Sequence, residues 1–329
     1  MKNEGFTFFL IVFFSATALS QTSNVQYLNE YGVLTIKELA KSYLKVTKAD
    51  SGDTYIGAEY YMDGHLKMIG QSLDSIFDYK IGKCICYYNN GQIKSEGIYY
   101  SDLKKEIHSL PSQKWIFYYP DGKKQQEQVY NISEDVRKAK GYLLNYWDTA
   151  GNQKVIKGEG VWSYTDIVST RDSNNQVITF EGAVKKGSPV GTWKGYYANK
   201  ALYAEESYSD DYVVSGVSYD VKGTKYAYQK IKTYAEFPGG EDGFRLYLKQ
   251  NMNAVLNRRN NAGNIFNGVS VRAGVDYKGK IHDVVVLTKE APEAMKEEGM
   301  RIVKAIPYVV PATLRGQPID SYIILPVNF

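Results

Sequence analysis

The chain has 329 residues, which is enough for two domains, and its hydrophobic content of 43% is ordinary for a globular protein. Its 40 basic and 36 acidic residues are well mixed, so no basic stripe indicates a nucleic-acid partner. The 30 tyrosines, against 12 phenylalanines and 4 tryptophans, favour a β-rich protein with wide, half-exposed aromatic faces.

The first twenty residues have the pattern of a secretory signal peptide. Lys2 precedes an apolar run from Phe6 to Phe14, and small residues then lead to Ser20. This apolar segment is shorter than the roughly 20 residues that span a bilayer, so we predict cleavage near Ser20. The mature protein is then expected in an extracytoplasmic space. The alternative is that the segment is retained as an inner-membrane anchor.

Residues 21–54 are predicted to cap the open end of a sheet. Within them, the stretch from Gln26 to Lys48 is amphipathic, and its apolar members are Ile36, Leu39, Ala40, Tyr43 and Leu44.

From residue 55 to about 232 the chain repeats a unit of roughly thirty residues, a period typical of stacked supersecondary units. Each clear copy has an aromatic pair followed by a turn with Asp-Gly or Asn-Gly, which is a strong hairpin signal. A single hairpin is marginal in water, so a row of them is needed to bury a continuous face. The clear copies are Tyr60–Gly64, Tyr87–Gly91 and Tyr118–Gly122, and looser ones are Tyr146–Gly151, Phe180–Lys200 and Gly216–Gly223.

The segment Gly187–Tyr197 contains Gly-x-Trp-x-x-Tyr-Tyr and resembles MORN-type repeats. The resemblance implies an elongated sheet of successive hairpins that serves as a scaffold or a binding surface. The aromatic side chains expected on the binding face of these repeats are Tyr61, Tyr88, Tyr119, Trp193 and Tyr197.

The two cysteines, Cys84 and Cys86, lie on one face of a predicted strand, where a disulfide between them would be strained. Such residues are typically small buried hydrophobes, and the sequence does not decide whether they are oxidised. The three histidines, His65, His108 and His282, are scattered. We therefore predict no metal site and no cofactor.

Residues 233–329 have a different pattern, which predicts a small α+β domain. The turn-rich joint Phe237–Gly240 precedes a helix with Phe244, Tyr247 and Leu248 at helical spacing. An alternating run from Gly268 then predicts two strands joined by a hairpin turn. A second helix begins near Pro292, and the final strand is predicted from Ile319 to Val327. The fold class is therefore mainly β with an α+β C-terminal domain.

Residues 237–329 are similar to a TonB C-terminal domain. The similarity lies in the order of Phe237–Gly240, Asp276–Gly279, Glu298–Val303, Pro307, Pro311, Gly316, Pro318 and Leu325–Phe329. In that family the domain lies in the Gram-negative periplasm, where a segment of an outer-membrane receptor adds as a strand to the edge of its sheet. The chain departs from the family in the polar stretch Met252–Asn261, expected to be a loop, and in having Tyr308 in place of a tryptophan.

The final strand is the candidate for such an edge, because an edge strand exposes unpaired N–H and C=O groups. Asp320, Tyr322 and Ile324 are predicted to share one face, and the residues between them the other. The alternative is that these residues only form the core and rim of a small sheet. The predicted partner-binding residues are Ile319, Asp320, Ser321, Tyr322, Ile323 and Ile324.

No nucleophile motif, phosphate loop or paired-histidine motif indicates an enzyme, and no catalytic residue is predicted. The pairs Glu205-Glu206 and Asp210-Asp211 are expected to be solvated surface. The leading hypothesis is an exported, non-catalytic protein that binds a protein of the cell envelope, with an outer-membrane receptor as the implied partner. An anchored TonB-type energy transducer, which would need a membrane anchor and a Pro-rich span, is one alternative. A carbohydrate-binding protein that uses the tyrosine-rich sheet is another, and a homodimer is left open.

Overall fold

The computed structural model describes residues 25–30, 32–50, 52–131, 140–169, 175–209, 211–253 and 263–329. The predicted signal peptide and most of the predicted loop Met252–Asn261 lie outside these residues. No helix in the described part of the chain is both long and apolar enough to cross a membrane. The chain divides into two compact units, Met1–Gly141 and Tyr142–Phe329.

The first unit consists of antiparallel strands, each hydrogen-bonded to the next in chain order. Their bounds are β1 (Val25–Leu28), β2 (Ser42–Lys48), β3 (Tyr55–Tyr61), β4 (Leu66–Ser72), β5 (Lys80–Tyr87), β6 (Ile93–Asp102), β7 (Ile107–Tyr118) and β8 (Lys124–Asn131).

The amphipathic stretch from Gln26 to Lys48 does not form one buried face. It contains β1, a short 3-10 turn and β2, and β2 pairs with β3 along its whole length. Leu44 is buried, but Ile36 and Leu39 are 62% and 64% exposed. These apolar residues are therefore not buried together, because the segment extends the hairpin sheet with strands.

The hairpin strands of the second unit follow the same antiparallel, chain-order pairing. They are β9 (Lys140–Trp147), which begins at the boundary between the units, β10 (Gln153–Ile156), β11 (Glu159–Ser169), β12 (Asn175–Lys185), β13 (Ser188–Tyr197), β14 (Leu202–Ser209), β15 (Tyr212–Tyr219) and β16 (Lys225–Tyr228).

The predicted turns are confirmed, and they share one hydrogen-bond pattern. At the turn after β5, the Tyr88 N–H donates to the Gln92 carbonyl at 2.8 Å, and the Gly91 N–H donates to the Tyr88 carbonyl at 2.9 Å. Gly91 has a φ of 80°, which glycine adopts at no steric cost. The turns that begin at Tyr61, Tyr119, Asp148, Tyr197 and Asp220 repeat this pattern.

The C-terminal region has the predicted order of helix, two strands, helix and strand, with three two-residue strands in addition. The elements are β17 (Lys232–Thr233), α1 (Gly240–Asn251), β18 (Gly268–Val275), β19 (Ile281–Val286), α2 (Glu293–Lys304), β20 (Thr313–Leu314), β21 (Gln317–Pro318) and β22 (Ser321–Asn328). The fold class is thus mainly β, with sixteen hairpin strands among the described residues, followed by a small α+β region.

Helix α2 covers one face of the sheet formed by β19, β18 and β22 in that spatial order. Met295 and Ile302 of α2 are fully buried against Val271 of β18. Burial of such a side chain contributes about 1.5–3 kcal/mol. A Cβ added at Gly299 would lie 2.6 Å from a methyl group of Val269, so a residue without a side chain lets the helix approach the strand.

We predict that Lys200→Gly stabilises the protein. Lys200 occupies the turn position that glycine holds in the other repeats, and its φ is 70°. A residue with a Cβ in this left-handed region raises the free energy of the folded state by about 1 kcal/mol or more. Glycine removes this strain, but it also increases the entropy of the unfolded chain, which offsets part of the gain. We expect a net gain of about 1 kcal/mol in the free energy of unfolding, measured by chemical denaturation.

Lys222→Gly is the matched control. Lys222 lies in the equivalent turn after β15 but does not have a positive φ, so glycine there only increases the entropy of the unfolded chain. This variant should be less stable than the wild type. Equal shifts in both variants would contradict the assignment of strain to Lys200.

Candidate binding surface on the C-terminal region

Strand β22 forms one edge of the sheet in the C-terminal region. It pairs with β18 without a bulge from Gly268↔Asn328 to Val275↔Ser321, and no further strand of the described residues pairs with its other side. The opposite edge, β19, is shorter and irregular, with a shift in register and a positive φ at Asp283. A bulge of this kind disfavours pairing, so β22 is the edge that can accept another strand.

The register shows which backbone groups of β22 point away from the sheet. The Phe329 N–H donates to the Asn267 carbonyl at 2.8 Å, in line with the β18–β22 ladder. Because hydrogen-bonded pairs alternate in an antiparallel ladder, Ile323 also bonds to β18, as do the other odd-numbered residues. The N–H and C=O groups of Tyr322 and Ile324 therefore point outward.

The side chains of β22 alternate as predicted. Tyr322 and Ile324 are 65% and 49% exposed, whereas Ile323, Leu325 and Val327 are buried against the helices. For Ile323 the alternative prediction of a core residue is therefore correct. Tyr322 and Ile324 combine an outward backbone with an exposed side chain.

Two of the predicted partner-binding residues lie before the strand, which begins at Ser321. The Ile319 N–H donates to the Ala312 carbonyl at 2.9 Å, and the Asp320 carboxylate accepts the Tyr277 N–H at 2.8 Å. Both residues thus fix the path of the chain into β22. The Ile319 N–H and the Asp320 carboxylate therefore have hydrogen-bond partners within the protein.

The face of this sheet opposite α2 carries further exposed apolar side chains beside those of β22. Ile324 lies beside Arg272, and Arg272 lies beside Val285 on β19. Val285 and the following Leu287 are 46% and 43% exposed. We call this surface the open face and define it by Tyr322, Ile324, Arg272, Val285 and Leu287.

The turn between β20 and β21 anchors the C-terminal region to the last repeats. Arg315 in this turn is buried, and its Nε donates to Glu206 Oε1 of β14 at 2.8 Å. The guanidinium group also lies 4.3 Å from the ring centre of Phe180. Glu206 is 1% exposed, so the prediction that it is solvated surface is wrong. Burial is possible because its cation comes from a distant part of the chain.

Two tyrosines complete the hydrogen bonding of the buried carboxylate. The Tyr228 and Tyr208 hydroxyls donate to Glu206 at 2.6 and 3.0 Å. Burial, and then the charge of Glu206, raises the pKa of both tyrosines, so they remain donors. Burial lowers the pKa of the Arg315 guanidinium group, but Glu206 together with Tyr203 and Tyr164 outweighs this, so the pKa is raised.

The residues next to Arg315 extend the anchor toward β22. The Ser218 hydroxyl of β15 donates to the Arg315 carbonyl at 2.7 Å, and Gln317 Nε2 donates to the same hydroxyl at 3.0 Å. The chain that enters β22 is therefore held by the repeats, and the edge strand depends on them for its position.

The five predicted repeat-face aromatics mainly hold neighbouring strands together. Trp193 is buried, and its indole N–H donates to the Ala183 carbonyl at 3.0 Å. Three hydroxyls donate to a backbone carbonyl of the next turn at 2.8–2.9 Å, namely Tyr61 to Tyr87, Tyr88 to Tyr118 and Tyr197 to Tyr219. Tyr119, like Tyr61 and Tyr88, is half-buried.

The hairpins form a scaffold of successive repeats. A comparison with protein families identifies the type of repeat. The family described as "MORN repeat variant" matches residues 80–102, 114–131 and 189–210. The first match coincides with the hairpin β5–β6, and the others cover most of β7–β8 and β13–β14. The predicted resemblance to MORN-type repeats is therefore confirmed at these three segments. A comparison with curated proteins finds no match.

Arg315 is not among the predicted site residues, and the sequence predicts its partner Glu206 on the surface. The two residues are far apart in the chain, and no local pattern pairs them. The only sequence signal is the turn Leu314–Gln317, which places an arginine beside a glycine.

We predict that breaking this ion pair strongly destabilises the second unit. Arg315→Met leaves the buried Glu206 without its cation, and Glu206→Leu leaves Arg315 without its anion. Each should lower the free energy of unfolding by about 3–5 kcal/mol, because a buried charge remains uncompensated. Denaturation followed by tryptophan fluorescence measures the loss.

The double variant is the control. With both charges replaced by apolar side chains, no uncompensated charge remains, and the loss should be smaller than the sum of the two single losses. Additive losses in the double variant would show that the two residues do not stabilise the unit through each other.

Proposed function

We propose that this protein is a non-catalytic interaction protein whose C-terminal region binds an extended segment of a protein partner by β-strand addition to β22. The observation that carries the proposal is the outward backbone of Tyr322 and Ile324 on a regular, unpaired edge of the described sheet. Main-chain hydrogen bonds to such an edge supply affinity, and side chains at alternate positions supply specificity.

The edge also limits where a partner can pair. Pro326 lies at the next outward position and has no N–H to donate. A partner strand can therefore form complete hydrogen-bonded pairs with Tyr322 and Ile324, but not with Pro326. We expect a short segment in extended conformation rather than a long strand.

The open face indicates the character of that segment. Its exposed apolar side chains favour a partner strand with apolar residues at alternate positions, on the side that faces Tyr322 and Ile324. Arg272 is the cation nearest to these positions in the ladder, which favours an acidic residue beside the apolar ones.

The hairpin repeats supply the scaffold in this proposal, which the match to the MORN repeat variant supports. The similarity of residues 237–329 to a TonB C-terminal domain supports a partner in the cell envelope. An outer-membrane receptor is the class of partner that this similarity favours. The signal-peptide pattern supports export to the periplasm.

Site-specific photo-crosslinking in cells tests the docking edge. A photoreactive residue at Tyr322 in the full chain should give one defined protein adduct, and a photoreactive residue at Leu246 on α1, which is also more than half exposed to solvent, should not. Ile324→Pro should abolish the adduct because it removes an outward N–H without removing a bond to β18.

Ile324→Thr is the matched control for that substitution. Threonine keeps the N–H and favours extended backbone, so the adduct should persist. Strand addition at β22 would be ruled out if the adduct formed equally from Leu246 or survived Ile324→Pro.

The export proposal makes a separate prediction. N-terminal sequencing of the mature protein should give a chain that begins near Gln21, because the apolar segment before it is too short to span a bilayer. A mature chain that begins at Met1 and fractionates with the inner membrane would instead support an anchored transducer.

A further inference from the structure

One of the repeats has a cysteine where two other copies have a tryptophan, and a second cysteine two residues later. The segments Gly82–Tyr88, Gln113–Tyr119 and Gly191–Tyr197 are equivalent, because each begins with a positive φ and ends in a Tyr-Tyr pair. The first residues have φ values of 62°, 55° and 66°. The residues two positions after these first residues are Cys84, Trp115 and Trp193. Cys84 therefore occupies the tryptophan position of the repeat.

The opposing glycine confirms this equivalence. A Cβ added at Gly97 would overlap the indole of Trp115, and one added at Gly182 would overlap that of Trp193. The corresponding glycine in the first copy is Gly70, whose added Cβ would lie 3.3 Å from Cys84 Sγ. A thiol thus lies over the glycine that an indole covers in the other repeats.

Three sulfur-containing side chains lie on this face of the sheet, on the neighbouring strands β4 and β5. Cys86, two residues after Cys84 on β5, points to the same side of the sheet. Met68 of β4 is the direct cross-strand partner of Cys86, which places their Cβ atoms about 5 Å apart. Cys84 is buried, whereas Cys86 is half-buried and can be reached from solvent. The residues equivalent to Cys86 in the other two copies are Phe117 and Gly195.

We propose that Cys84, Cys86 and Met68 form a binding site for a soft monovalent metal ion, with Cu(I) as the biological candidate. Thiolate and thioether sulfur are the ligands that select Cu(I) over harder ions. Binding displaces protons from the two thiols to solvent, while the thioether of Met68 binds as a neutral ligand.

The surroundings disfavour the commoner zinc site. Among the described residues no group of three or more His, Cys, Asp or Glu side chains could hold a metal ion. The nearest carboxylate across the sheet is Glu59, the cross-strand partner of Met68. It already binds Lys67 at 2.7 Å and Ser42 at 2.6 Å. The sulfur ligands are therefore too few for the four-coordinate geometry of structural zinc.

Anaerobic competition with a chromogenic Cu(I) chelator tests the site on the full, reduced chain. We expect the wild type to retain one Cu(I) per chain. Cys84→Ser and Cys86→Ser should each abolish this retention. Met68→Leu keeps the shape and apolar character of the side chain but removes the sulfur, and it should weaken Cu(I) binding by roughly tenfold or more.

The thermal unfolding midpoint of each metal-free variant separates loss of a ligand from loss of the fold. Met68→Leu in particular should unfold at the wild-type temperature. Bound Cu(I) should also protect both thiols of the wild type from alkylation, whereas Zn²⁺ at the same concentration should not. The proposal is overturned if the wild type yields all its Cu(I) to the chelator, if the serine variants retain as much as the wild type, or if Zn²⁺ protects equally.

Discussion

The buried ion pair between Arg315 and Glu206 determines how the C-terminal region is built. A buried charge is tolerated only when its partner is held in good geometry, and here Tyr208, Tyr228 and the ring of Phe180 provide that geometry. The turn that carries Arg315 leads through the short strand β21 into β22. The edge strand is therefore held by the last repeats as well as by its own sheet, and the second compact unit contains both.

The hairpin repeats depend on a different and more local constraint. A glycine on one strand leaves room for a large side chain from the next, as Gly97 does for Trp115 and Gly182 for Trp193. Where the large side chain becomes Cys84, the backbone pattern is kept although the chemistry changes. The backbone pattern that folds the strand therefore tolerates different side chains at this position, and these side chains determine what the face can bind.

Much of this architecture could be predicted because its signals are local. Turns such as Asn90-Gly91 can be recognised from a few adjacent residues, and the alternation around Tyr322 correctly predicts which side chains of the last strand share a face. The pairing of Arg315 with Glu206 could not be predicted, because it joins residues 109 positions apart. The start of β22 was missed by two residues for a similar reason: Asp320 is held by a long-range hydrogen bond to the Tyr277 N–H.

Pro326 has a consequence for the symmetry of any assembly built on β22. If two copies paired their edges antiparallel about Ile324, Tyr322 of each copy would face Pro326 of the other. Each such pair would lack one N–H, so the self-complementary interface would lose two hydrogen bonds at its ends. A foreign strand that stops short of Pro326 loses none. The missing N–H of Pro326 thus disfavours self-pairing of this edge about Ile324.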